Sequence, residues 1–80
     1  MKERRVPTGI EVRNGMLHLG DRIRYDDGWL CFEAVVVFER GVVGFYHGDD
    51  FLCLRDFIRN MTVFPDEKGL GAAEDFEIIN

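Results

Sequence analysis

Apolar and polar residues alternate over short stretches of this chain, and each stretch stops at a cluster of Gly, Asn, Asp or Pro. The interruptions fall at Asn14-Gly15, Asp26-Asp27-Gly28, Glu39-Arg40-Gly41, Gly48-Asp49-Asp50 and Pro65-Asp66. Between them lie segments rich in β-branched and aromatic residues, the pattern of short strands joined by turns. Asn14-Gly15 predicts a hairpin between Ile10–Arg13 and Met16–Leu19, because a type I′ turn needs positive φ at both central positions. A strand over Arg22–Tyr25 follows, with Ile23 and Tyr25 on one face and Arg22 and Arg24 on the other.

The longest predicted strand is Trp29–Phe38. Its even positions, Leu30, Phe32, Ala34, Val36 and Phe38, are all apolar and predict a core face. Its odd positions are apolar too, except Glu33. A strand apolar on both faces is either a bent central strand shared by two sheets or one with a face kept for a partner. Glu39-Arg40-Gly41 suits a three-residue hairpin with Gly left-handed, after which the chain returns along Val42–His47. Phe51–Leu54, Met61–Phe64 and Phe76–Ile79 read as further strands, and Arg55–Asn60 has room for one helical turn. Five to seven short antiparallel strands with at most one helical turn predict an all-β fold, a small barrel of the SH3-like kind, since closure removes exposed edges.

Composition narrows what such a fold does. At 80 residues the chain is one domain with a thin core. The division expected is a basic N-terminal arm at 1–7, a single barrel domain at 8–80, and a polar, acidic, mobile loop at 66–75. The sequence has no Ser, and Lys only at positions 2 and 68, which excludes a serine hydrolase and leaves little for Schiff-base chemistry. Cys31 and Cys53 lie in apolar runs and read as small buried hydrophobes, reduced in a cytoplasmic setting. The charged N-terminus does not read as a signal peptide, and no run is long enough to span a membrane. His18, His47, Asp49 and Asp50 match no metal-ligand spacing. No catalytic residue, metal or cofactor is expected.

The net charge of −5 is uneven. Residues 1–25 carry six bases against three acids, a balance of +3, and residues 26–80 carry four against twelve, a balance of −8. An acidic body repels the nucleic-acid backbone, so direct nucleic-acid binding is not expected.

The order of the turn motifs is itself informative. Thr8-Gly9-Ile10, then Asn14-Gly15, then Gly20-Asp21-Arg22-Ile23-Arg24-Tyr25 resembles the YopX-like family, in which TGL, NG and GDI occur in that order. The Val-rich strand Ala34–Phe38, the turn at Gly41, the segment Leu54-Arg55-Asp56-Phe57 and the ending Phe76–Asn80 are similar to the family as well. The resemblance covers residues 8–80. It implies an SH3-like barrel encoded by bacteriophages or related mobile elements, and no enzymatic reaction.

The candidate site is an interface. In a meander the turns after Tyr25 and after His47 lie at one end of the sheet, which carries Asp26, Asp27, Asp49 and Asp50. With Phe38 opposite Val42 the two turns are offset by about 13 Å along the strand unless it bends. Aromatic residues are in excess, since Trp29, Tyr46, Phe51 and Phe57 cannot all be interior in so small a barrel; Trp29, Tyr46 and Phe51 supply anchors beside these acids, and Glu33 is the one charge on the odd face of its strand. Together these residues describe an acidic inhibitor that occupies the nucleic-acid channel of a host bacterial protein, such as a CRISPR-type nuclease. The alternative is an oligomeric protein that sequesters a signalling nucleotide with Arg22, Arg24 and Trp29, and homo-oligomerisation would also cover the apolar odd face.

Overall fold

The computed structural model describes residues 6–61 and 71–80. The first hairpin joins β1 (Pro7–Val12) to β2 (Gly15–His18). Val12 pairs with Gly15, so the turn residues are Arg13 and Asn14, one position earlier than Asn14-Gly15 predicts. Neither takes positive φ, so the turn is not type I′. The Asn14 side chain instead grips the last strand: its amide donates to the Ile78 carbonyl at 3.0 Å and accepts from the Ile78 N–H at 2.8 Å. In β1 the register slips between Pro7 and Glu11. There Gly9 adopts φ 79°, and the Thr8 hydroxyl bridges the irregularity by donating to the Leu17 carbonyl and accepting from the Ile10 N–H. Of the arm expected at 1–7, the last two residues join the fold, since the Val6 carbonyl accepts from the Leu19 N–H and Pro7 opens β1, and 1–5 lie outside the described residues.

Gly20-Asp21 forms a structural knot. Asp21 is 1% exposed, and its carboxylate accepts from the His18 N–H and from the Asn80 side-chain amide, both at 2.8 Å. Asn80 in turn accepts from the Arg22 N–H at 2.8 Å, which ties the end of the sequence to the start of β3 (Arg22–Asp26).

The expected long strand is broken. β4 (Cys31–Val35) and β5 (Val37–Glu39) are separated at Val36, which is buried and bonds in both directions to the Gly20-Asp21 turn. This is the bent strand shared by two sheets. β3 lies between β4 and β8 (Phe76–Ile78), while β5 pairs with β6 (Val42–His47), which pairs with β7 (Asp50–Cys53). All pairings are antiparallel, giving eight strands among the described residues because the long strand counts twice. The three sheets do not join into one hydrogen-bonded ring, so the barrel is not closed. The break also changes the predicted core face: Phe38 is 57% exposed and Leu30 lies in the loop before β4.

The turn after β5 contains two residues rather than three. Arg40 and Gly41 both take positive φ, 52° and 82°, as a type I′ turn requires. Glu39 therefore faces Val42, and Phe38 faces Val43. The helix α1 spans Leu54–Met61, two turns where one is expected. Its apolar residues fall at 54, 57, 58 and 61, the spacing of one helical face. That face packs on β6 and β7. Phe57 thereby joins Tyr25, Phe32, Phe45 and Phe76 in a cluster of rings with centroids 4.8 to 6.2 Å apart. Met61 ends this helix, and 62–64, the remainder of the strand expected there, lie outside the described residues, as do 66–70 of the loop. Residues 71–75 are not a mobile loop but a 3₁₀ helix that buries Ala72 and Ala73. No helix among the described residues is long and apolar enough to cross a membrane.

Candidate partner-binding surface

The loop between β3 and β4 is wound on two carboxylates. Asp27 Oδ1 accepts from the backbone N–H groups of Trp29 and Leu30 at 2.8 and 2.7 Å, and its Oδ2 accepts from the Tyr25 hydroxyl at 2.7 Å. Asp26 Oδ1 accepts from the Gly28 N–H at 2.9 Å. Aspartate favours turns for this reason: its short side chain reaches the amides two residues on. Each bond favours the ionised form, so Asp27 is held below the ordinary aspartate range, chiefly by the Leu30 N–H. Burial and then the Asp27 carboxylate push the Tyr25 phenol upward, keeping it a neutral donor.

The tip of this loop is Trp29, 98% exposed. Burying an indole of this size against a partner supplies a large part of a binding energy, and leaving it in water forgoes that gain. Its backbone is held by its own N–H, so binding has only the side-chain torsions of the indole left to fix at this residue.

The acids nearest this loop come from the other end of the sequence. Tyr25 pairs with Phe76, which places Asp75 across from Asp26. The Asp75 carboxyl is raised above its usual range, by burial first and then by the charges of Asp27, Glu74 and Asp26. Glu74 and Asp75 thus belong to the same acidic end as Asp26 and Asp27. Their signal in the sequence is the pairing of the last strand with Arg22–Tyr25, which strand spacing alone does not specify. An open cleft of about 300 Å³ beside them is lined by Glu11, Val12, Arg13, Ala73, Glu74 and Asp75.

Asp49 and Asp50 sit at the turn between β6 and β7, with His47 opposite Asp50. The Phe32 and His47 rings meet edge to face at 5.0 Å, so this turn and the Trp29 loop project from the same end of the molecule. Tyr46 and Phe51 are neighbours across β6 and β7, with ring centroids 5.5 Å apart. Tyr46 is 43% exposed and Phe51 is half-buried. The Tyr46 hydroxyl donates to Glu39, which raises its titration range. Glu33 stands elsewhere, on the outer face of the first sheet, paired with Arg22 at 3.3 Å.

The cysteines differ from expectation, because Cys31 is exposed and Cys53 half-buried. His18 is half-buried, its Nδ1 near the Met16 carbonyl at 3.1 Å. Among the described residues no group of three or more His, Cys, Asp or Glu side chains is arranged to hold a metal ion. Comparison with protein-family models, with curated proteins and with solved structures gave no match.

Proposed function

We propose that this chain is a non-catalytic binding protein of the mobile-element type suggested by its resemblance to the YopX-like family. It inhibits a host nucleic-acid-handling protein by occupying that protein's basic channel. The observation that supports this reading is Trp29, almost wholly exposed on a loop wound around Asp26 and Asp27, with Glu74 and Asp75 beside it. An aromatic anchor ringed by carboxylates is the counterpart of a basic groove lined with apolar pockets, where charge steers approach and the ring sets the dissociation rate.

The nucleotide-sequestering alternative has less support. Its two cations, Arg22 and Arg24, are engaged by Glu33 and Glu77 at 3.3 and 3.6 Å. Calorimetric titration with signalling nucleotides separates the readings, since a channel-blocking acid binds none of them.

The direct test is displacement. The chain is titrated against host proteins holding labelled DNA or RNA, RNA-guided nucleases first, and release of the nucleic acid is measured. Release is expected, with Trp29→Ala weakening it about tenfold or more, since that change leaves the loop's backbone bonds in place. Absence of release across the panel, or a Trp29→Ala chain that competes as well as the native one, overturns the proposal.

A further inference from the structure

The strand β8 is three residues long, and asparagine side chains hold it where backbone pairing runs out. One edge pairs with β3, and the Ile79 N–H extends that pairing to the Arg22 carbonyl at 2.9 Å. The other edge has no neighbouring strand in its sheet among the described residues. There the Arg13 N–H donates to the Phe76 carbonyl at 3.3 Å. The Asn14 side chain takes both backbone bonds of Ile78, donating at 3.0 Å and accepting at 2.8 Å. Past the strand, the Asn80 side chain bridges Asp21 and the Arg22 N–H. β8 carries the fully buried Phe76 and follows directly on Glu74 and Asp75, so these side chains set the docking of a core residue and of two acids.

Asn14 is also the one asparagine followed by glycine. It is exposed to water, and Gly15 has no side chain to shield its backbone nitrogen. That nitrogen can attack the side-chain carbonyl carbon of Asn14. A new C–N bond closes a five-membered succinimide, and the side-chain nitrogen leaves as ammonia, carrying the proton that the Gly15 N–H gives up. Water then opens the ring at either carbonyl. The products are aspartate and isoaspartate, whose backbone runs through the side chain and is longer by a methylene. The sum is amide plus water to carboxylate plus ammonium, and no other reagent enters.

We propose that Asn14 is a self-modification site whose reaction is gated by the docking of β8. The attacked carbon turns from planar to tetrahedral and must present its face to Gly15, whereas both polar atoms of the amide are held in the pairing with Ile78. Reaction therefore waits until β8 releases the side chain. The product does not hold as the amide did, because aspartate has lost the N–H donor and sets a negative oxygen against the Ile78 carbonyl. Isoaspartate also displaces the turn that Val12 and Gly15 close. Each conversion loosens β8, and nothing in the chain restores the amide. The result is a one-way change in how firmly the end of the sequence is docked, and it does not depend on what the Trp29 loop binds.

Ageing of the full chain in warm, mildly alkaline buffer tests the inference, with peptide mapping by mass spectrometry as the readout. The chain has no Gln, and its asparagines are Asn14, Asn60 and Asn80, so amide loss has few sources and is assigned directly. Conversion is expected at Asn14 ahead of the other two, and about tenfold or more slowly in buffer than in denaturing urea at the same pH. Asn80→Ala frees the far end of β8 without touching the reacting pair and is expected to speed conversion about tenfold. The native chain gives the same link without a variant: conversion and exchange of the Ile79 amide should rise in parallel as sub-denaturing urea is added. Asn14→Asp, the product made directly, is expected to speed that exchange about tenfold. A native chain that keeps its Asn14 amide while the denatured chain loses it entirely overturns the site. Equal rates in buffer and in denaturing urea, an Asn80→Ala chain that is folded by circular dichroism yet converts no faster, or conversion that does not follow Ile79 exchange overturns the gating. An Asn14→Asp chain whose Ile79 amide exchanges as slowly as the native one overturns the release of β8.

Discussion

The two three-stranded sheets share one inner surface but differ on their outer ones. Both turn aromatic residues into the same cluster, Tyr25, Phe32 and Phe76 from one sheet and Phe45 from the other. Outside, the β4–β3–β8 sheet carries Arg22, Arg24, Glu33 and Glu77, matched across strands into two ion pairs. The β5–β6–β7 sheet carries Val37, Val42, Tyr46, Phe51 and Cys53 on its outer side, with one acid among them, Glu39, which accepts from the Tyr46 hydroxyl. The inner faces are constrained by packing, whereas the outer faces are set by what they meet. The first meets water and satisfies itself, while the second leaves apolar area to be covered.

The sharpest way to break this comparison is to remove what the sheets share. Phe45 stacks on Phe32 at 5.4 Å and meets Phe57 and Phe76 edge to face. Phe45→Ala is expected to cost about 3–5 kcal/mol, comparable to the whole stability of a domain this small. Urea titration followed by far-ultraviolet circular dichroism and by near-ultraviolet circular dichroism of the buried Tyr25 should show one shifted transition. Two separated transitions would mean that the sheets do not share a core.

A smaller change should reach only one sheet. At Gly44 an added Cβ meets the Leu52 carbonyl oxygen at 2.2 Å and the Phe51 ring at 2.6 Å. The ring can rotate, but the carbonyl belongs to the β6–β7 pairing and cannot. Gly44→Ala is therefore expected to cost about 1–3 kcal/mol. Amide exchange should accelerate more in β6 and β7 than in β3, since local opening of the strained sheet adds to the loss of global stability. Equal acceleration in both sheets would contradict the local reading.

Much of this architecture is legible in the residue pattern, and the misses have identifiable causes. The bend at Val36 is foreshadowed by apolar residues on both faces of the long segment. The pattern understates the helix because Leu54 and Met61, its first and last apolar contacts, also fit strand patterns on either side. Arg40 is the hidden half of a type I′ turn, since a long basic residue gives no signal for positive φ. The burial of Asp21 leaves no local trace because Asn80, which shares its carboxylate with the His18 N–H, lies at the far end of the sequence. For the candidate surface, exposure of Trp29 follows from aromatic excess, while the gathering of Glu74 and Asp75 beside Asp26 and Asp27 depends on strand order. Thr8-Gly9, Asn14-Gly15 and Gly20-Asp21 prove to hold a bulge, an edge strand and a turn, so each has a structural role.

Acid separates the two kinds of carboxylate at the Trp29 end. Asp27 lies below the ordinary range, so its contribution is complete above about pH 4 and is lost as pH falls through its folded value. Asp75 is raised, so folding favours its protonated form, and that advantage is lost as pH rises through its folded value. Asp27→Asn should flatten the acid limb of a stability profile, and Asp75→Asn should lift the profile above that limb. Carboxyl chemical shifts followed by pH-titration NMR check both signs. An Asp75 resonance that titrates below the ordinary range would remove the acidic cluster from the description.

The smallest effect belongs to the charged outer face. Arg22, Glu33, Arg24 and Glu77 are all substantially exposed, and water screens such pairs strongly. Removing Arg24 and Glu77 singly and together in a double-mutant cycle should reveal a coupling of about 0–1 kcal/mol, diminishing with added salt. The pairs matter for what they prevent, because opposed charges on an exposed sheet face discourage face-to-face stacking. Replacing Arg24 and Glu77 together with Val should therefore leave thermal stability almost unchanged while promoting association through the first sheet. If the double variant associates no more than the native chain at equal concentration, charge does not distinguish the two outer faces, and shape, set by the ring lying over Gly44, must do so.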